Sequence, residues 1–78
     1  MHIDLDVLDP EEIPGHPLTA PNGPTSQELA DALTIMFEHP KAVALGLASY
    51  PHTDDPGGVT IRAINRLVDG TLTGLAAR

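Results

Sequence analysis

Polar and apolar residues alternate from His2 to Val7, with His2, Asp4 and Asp6 set against Ile3, Leu5 and Val7. A period of two predicts a half-buried strand. Asp9-Pro10 closes it, because proline cannot continue a central ladder. The next periodic stretch is helical. Thr25-Ser26-Gln27-Glu28 has the form of a capping box, in which the N-cap hydroxyl and the glutamate at the third helical position each take up a free backbone N–H. Behind it Leu29, Ala32, Leu33, Met36 and Phe37 recur at spacings of three and four, which predicts an inward stripe. His39-Pro40 ends that helix. Ala42 to Ser49 is continuously apolar, as expected of a strand covered on both faces. A last helix is predicted from about Gly58 to Asp69, with Ile61, Ile64, Leu67 and Val68 inward and Gly70 as its C-cap. Thr71 to Arg78 is then a frayed extension or a terminal contact arm.

The predicted organisation is a single α/β unit of parallel βαβα type. Its strand occupies 1–9, a loop 10–24, a helix 25–39, a second strand 42–49 and a second helix 57–70. A strand, a helix and a strand at this spacing form a parallel crossover. Two parallel strands leave both outer edges with unpaired backbone groups, so a wider sheet or self-association is expected. The loop 10–24 holds Pro14, Gly15, Pro17, Pro21, Gly23 and Pro24. It is long enough to be functional, and its bland alternative is a disordered linker.

Composition narrows the field. The chain has 78 residues, eleven acidic and four basic, with a net charge of −7. Lys41, Arg62, Arg66 and Arg78 are scattered, so nucleic acid and anionic membrane are poor partners. Cations and cationic small molecules suit the charge better. Cysteine is absent, which removes disulfides and thiolate metal sites and fits a cytoplasmic setting. No apolar run approaches membrane-spanning length, and no signal-peptide pattern opens the chain. Phe37 and Tyr50 are the only aromatic residues, a thin supply for an independent core.

The candidate chemistry lies at Asp4 and Asp6. On a strand, residues two apart point to the same face, and ligands of open parallel sheets bind beyond the strands' C-terminal ends. Two converging carboxylates repel unless a cation lies between them, and hard divalent ions such as Mg²⁺ or Mn²⁺ suit oxygen donors. His2 shares that face as a possible ligand or supporting partner. An Asp-x-Asp pair at a solvated strand end is the competing reading, since aspartates also turn the chain.

The wider spacing carries a resemblance that implies a metal. Asp4, Asp6, Pro10, Pro14, Gly15 and Gly23 fix six positions over twenty residues, and this pattern resembles the signature of the ureohydrolase family, which includes arginase, agmatinase and formimidoylglutamase. His2 stands where that signature has Ser or Thr. The resemblance runs on through the capping box, the strand at Ala42 to Ser49 and the helix after Pro56-Gly57-Gly58. It covers nearly all of this chain and the C-terminal portion of a family member. It implies a three-layer fold around a parallel sheet and a binuclear Mn²⁺ site, in which Asp4 bridges both ions and Asp6 binds one. The other ligands, a histidine and an Asp-x-His-x-Asp group, come from earlier strands in the family and have no counterpart here. The implied reaction cleaves a guanidino or amidino C–N bond, releasing urea or a related product, with a small-molecule substrate and either a homo-oligomer or the missing N-terminal portion as partner. The isolated chain is expected to be inactive.

Family members acting on guanidino substrates carry a glutamate at the end of the last strand, where this chain has Ala48 or Ser49. Asp54 and Asp55 either substitute for it or cap the following helix. His39 is expected at a helix end, His16 in the long loop and His52 beside the crevice. Haloacid-dehalogenase-like phosphatases also use an Asp-x-Asp pair, but follow it with Gly-Thr or a similar pair, whereas Val7-Leu8-Asp9-Pro10 stands here. An EF-hand loop needs glycine at its sixth position, where Asp9 falls. The alternative of a different class is a non-catalytic remnant acting only in self-association or partner binding.

Overall fold

The computed structural model describes residues 1–14, 21–48 and 55–78. Strand β1, His2–Asp4, pairs in parallel with β2, Gly46–Ala48. The register sets His2 beside Gly46, Ile3 beside Leu47 and Asp4 beside Ala48. Helix α1 spans Ser26–Phe37 and helix α2 spans Val59–Ala77. The helices pack against each other and, through Ile3 and Leu47, against one face of the strand pair. The parallel pairing and the strand–helix–strand–helix order agree with the sequence.

β1 is shorter than the alternation predicts. It stops at Asp4, and Leu5–Val7 form a single 3-10 turn closed by the Leu8 N–H donating to the Leu5 carbonyl at 3.1 Å. Leu5 and Leu8 explain why. Three residues apart, they would lie on opposite faces of a strand, but a 3-10 turn aligns positions i and i+3. Both are fully buried with Ile13, a residue that the sequence reading assigns to the loop. Val7, predicted inside a strand, is exposed.

The capping box at α1 is complete. Thr25 Oγ1 accepts from the Glu28 N–H at 3.1 Å, and the Glu28 carboxylate accepts from the Thr25 N–H at 2.9 Å. Glu12 adds a third cap, accepting from the Ser26 N–H at 2.6 Å. The buried face is Ser26, Ala30, Leu33 and Phe37. Leu33 and Phe37 were expected there and Leu29 packs at its margin, whereas Ala32 and Met36 are exposed. The stripe is rotated toward Ala30 because α2 brings its backbone up to that small residue. A Cβ on Gly70 would lie 2.5 Å from the Ala30 carbonyl oxygen.

That contact also corrects the predicted end of α2. Gly70 is not a C-cap; the helix continues to Ala77, and Gly70 and Gly74 line the side facing α1. A Cβ on Gly74 would overlap the Thr34 carbonyl and lie 2.9 Å from Phe37 Cβ. Thr34 Oγ1 reaches across to the Gly70 carbonyl at 2.8 Å. Of the residues predicted inward on α2, Leu67 is buried and Ile64 partly so, while Ile61 and Val68 are exposed. Thr60, Ala63, Thr71 and Gly74 take the inner positions instead. The residues after Thr71 are helix with a contact at the end: Arg78 donates to the carbonyls of His39 and Ala42.

β2 also differs from expectation. Residues 42–45 lie outside it, Val43 is 77% exposed, and Gly46–Ala48 are half-buried. Among the described residues the helices cover only one face of the strand pair, so the apolar run is not enclosed on both sides. Ser49 and the histidines His16 and His52 lie outside the described residues.

Candidate metal-binding site

Asp4 is the last residue of β1, where the chain leaves the sheet for the 3-10 turn. Ile3 and Leu47 face the core, so alternation puts His2, Asp4, Gly46 and Ala48 on the open face. A Cβ on Gly46 would lie 3.3 Å from His2 Nδ1, which fits that placement. The side chains of His2 and Asp4 are 71% and 55% exposed, with His2 Nε2 3.8 Å from Asp4 Oδ1. That distance makes a loose ion pair at most, and only when the imidazole is protonated.

Asp6 is half-buried inside the 3-10 turn. The strand alternation that was to align it with Asp4 ends before it, so the pleat does not set their relation. Two hard oxygen donors suit Mn²⁺ in kind but not in number. Among the described residues, no group of three or more His, Asp or Glu side chains is placed to hold an ion.

Neighbouring acidic residues have separate tasks. Asp9 Oδ1 accepts from the Glu11 N–H at 3.1 Å, an Asx turn that shapes the loop. Asp55 caps α2: its carboxylate accepts from the Thr60 N–H at 2.8 Å and the Ile61 N–H at 3.0 Å. The Thr60 bond is the main cause that holds the Asp55 carboxyl below the ordinary carboxylate value, against a smaller opposing effect of desolvation. Capping is therefore what Asp55 does, and Asp54 lies outside the described residues. The chain runs from Asp55 into α2 through Gly57 and Gly58, whose φ values of 66° and 68° place them in the left-handed region that glycine occupies without penalty. His39, as expected, sits at the end of α1, where its Nδ1 accepts from the Lys41 N–H at 3.1 Å.

One polar cluster escaped the sequence reading. Arg66 of α2 donates to Ser26 Oγ at 3.0 Å and lies 3.9 Å from the Glu12 carboxylate, joining loop, α1 and α2. A serine among aliphatic positions was the available signal, since a buried hydroxyl needs a partner. No helix among the described residues is long and apolar enough to cross a membrane.

Comparison with known proteins bears on the whole arrangement. The Arginase family model matches residues 1–73. The crystal structure of formimidoylglutamase from Bacillus subtilis subsp. subtilis str. 168 superposes with a TM-score of 0.86 at 28% sequence identity. The alignment covers 96% of this chain and 24% of that one, so the chain spans about a quarter of the length of the matched protein. No curated protein matches.

Proposed function

The chain belongs to the arginase family, and on that premise we propose that Asp4 and Asp6 are its contribution to a binuclear Mn²⁺ site for hydrolysis of an amidino C–N bond. The observation that carries the reading is the position of Asp4. It ends a strand of a parallel pair, on the open face, beside Ala48 of the neighbouring strand, within a chain that superposes on formimidoylglutamase over nearly its full length. A bound metal pair supplies a nucleophile at neutral pH and polarises the substrate. The chain's own share is to hold two carboxylates at the end of β1, one fixed by the sheet and the other by the Leu5–Leu8 turn. The remaining donors come from outside these residues, in the part of the relative's length that this chain does not span.

Ala48 refines the substrate class. It lies in register with Asp4 and supplies no carboxylate to pair with a guanidinium. An amidine that does not rely on a guanidinium–carboxylate pair, such as the formimidoyl group named in the matched protein, suits this position better than arginine or agmatine. Calorimetric titration with Mn²⁺ and an amidine-hydrolysis assay test the proposal. The isolated chain should bind Mn²⁺ weakly and turn over nothing, because two carboxylates leave an ion largely water-coordinated. In the complete site, Asp4→Ala should remove both ions and Asp6→Ala mainly one. Retention of both ions by the Asp4 variant would refute the assignment. A second reading is a non-catalytic module; metal binding that never appears on adding the rest of an arginase-type chain would support it.

A further inference from the structure

The long loop carries a feature that metal chemistry does not use. Asn22 is exposed and followed by Gly23, and its φ of 66° is the only positive value at a non-glycine position among the described residues. Gly23 is pressed onto the turn behind Asp6: a Cβ there would lie 2.6 Å from the Val7 carbonyl oxygen and 2.9 Å from the Asp9 nitrogen. Beside it the Asp9 N–H donates to the Pro24 carbonyl at 3.0 Å. Asp9, Glu11, Glu12, Gly23 and Thr25 line a concavity of 360 Å³ at this contact.

We propose that Asn22-Gly23 is a self-modifying latch, in which the loop's seat on the Val7–Asp9 turn protects the asparagine and amide loss after release prevents reseating. The chemistry needs only water and hydroxide. Hydroxide takes the Gly23 N–H proton, the nitrogen attacks Asn22 Cγ, and ammonia leaves as the five-membered imide closes. Water then opens the ring at one carbonyl or the other, giving aspartate or isoaspartate at position 22. Glycine puts no side chain in the way of its own nitrogen, so this dipeptide is intrinsically prone to the reaction. Ring closure requires the Gly23 nitrogen to swing toward the Asn22 side chain, and the contacts with Val7 and Asp9 restrict that swing while the loop is seated.

The isoaspartate product cannot return to its place. Isoaspartate routes the backbone through an extra methylene, immediately before a glycine that has no room for even a Cβ. Either product also adds a carboxylate beside Asp9, Glu11 and Glu12, where like charges repel. The inference stands on the loop contact alone and does not depend on the metal assignment.

Peptide mapping with isoaspartate detection, on the full chain aged at mildly alkaline pH, tests it. Native chain, urea-unfolded chain and a peptide spanning the Pro21–Pro24 sequence are compared. The asparagine form should be lost more slowly from the native chain than from the other two. Equal rates in native and unfolded chains, or no conversion in any sample, would overturn the proposal. Hydrogen exchange at the Asp9 amide reads the latch itself. Protection should be lost in purified isoaspartate-22 protein and kept in Asn22→Gly, which retains the left-handed turn without the reactive amide. Protection retained in the isoaspartate form would show that the loop reseats and that no latch exists.

Discussion

The α1–α2 pair and the β1–β2 pair are built to different standards. Between the helices, Gly70 and Gly74 admit backbone-to-backbone contact, Thr34 bridges the two helices, and Leu33, Phe37 and Leu67 are fully enclosed. The strands are three residues each, and their open face carries exposed His2 and Asp4. The contrast separates two duties. Much of the packing lies in the helical contact, and Asp4 stands on a face where little packing depends on it, whereas Asp6 sits in the turn that buries Leu5 and Leu8. Active regions are drawn from the less stable parts of a fold for this reason.

Breaking the helical side should cost most. Leu33→Ala removes a fully buried side chain from the centre of the core and is expected to destabilise by about 2–5 kcal/mol, read by urea denaturation. In a domain this small, such a loss consumes much of the stability. Gly74→Ala is a sharper test. Alanine favours helix by about 1 kcal/mol, but overpacking costs about 1–3 kcal/mol, and the obstruction is the Thr34 carbonyl, which cannot rotate away. A net loss of up to about 2 kcal/mol is expected; a stabilised variant would mean that the helices are not in backbone contact.

Acid acts on the link between the two regions. The Asp55 carboxyl titrates below its ordinary value of 3.8 because it accepts helix N–H bonds, chiefly from Thr60. Its stabilisation is therefore complete above the ordinary value and is lost as pH falls through the lower, folded one. Thermal melts across acidic pH should show this loss, and Asp55→Asn should weaken it. The smallest effect is expected at the strand end: Asp4→Ala should change stability by no more than about 0.5 kcal/mol, because its carboxylate is exposed and makes only a loose contact with His2. A large loss there would erase the contrast.

The capping box and the parallel pairing were legible because both are local or topological signals. Thr25 and Glu28 satisfy each other regardless of what surrounds them, and two strands joined through a helix have few other ways to pair. The stripe on α1, the length of β1 and the end of α2 were misread for a common reason: each depends on what a neighbour brings. Leu5 and Leu8 point together only because the chain abandons the strand. Gly70 looks like a helix terminus until Ala30 is placed against it. At the candidate site the placement of Asp4 at a strand end was legible, and the arrangement around Asp6 was not, since a 3-10 turn replaces the alternation that was to orient it.

The main-chain bond from Asp9 to Pro24 has an evolutionary consequence. It fixes the two ends of the intervening segment to each other, so their separation does not depend on how many residues lie between. Lengthening a closed loop costs little, about 0.6 kcal/mol per doubling. Insertions and deletions between these anchors can therefore accumulate and be sampled for new recognition, while the turn that carries Asp6 stays where the core needs it.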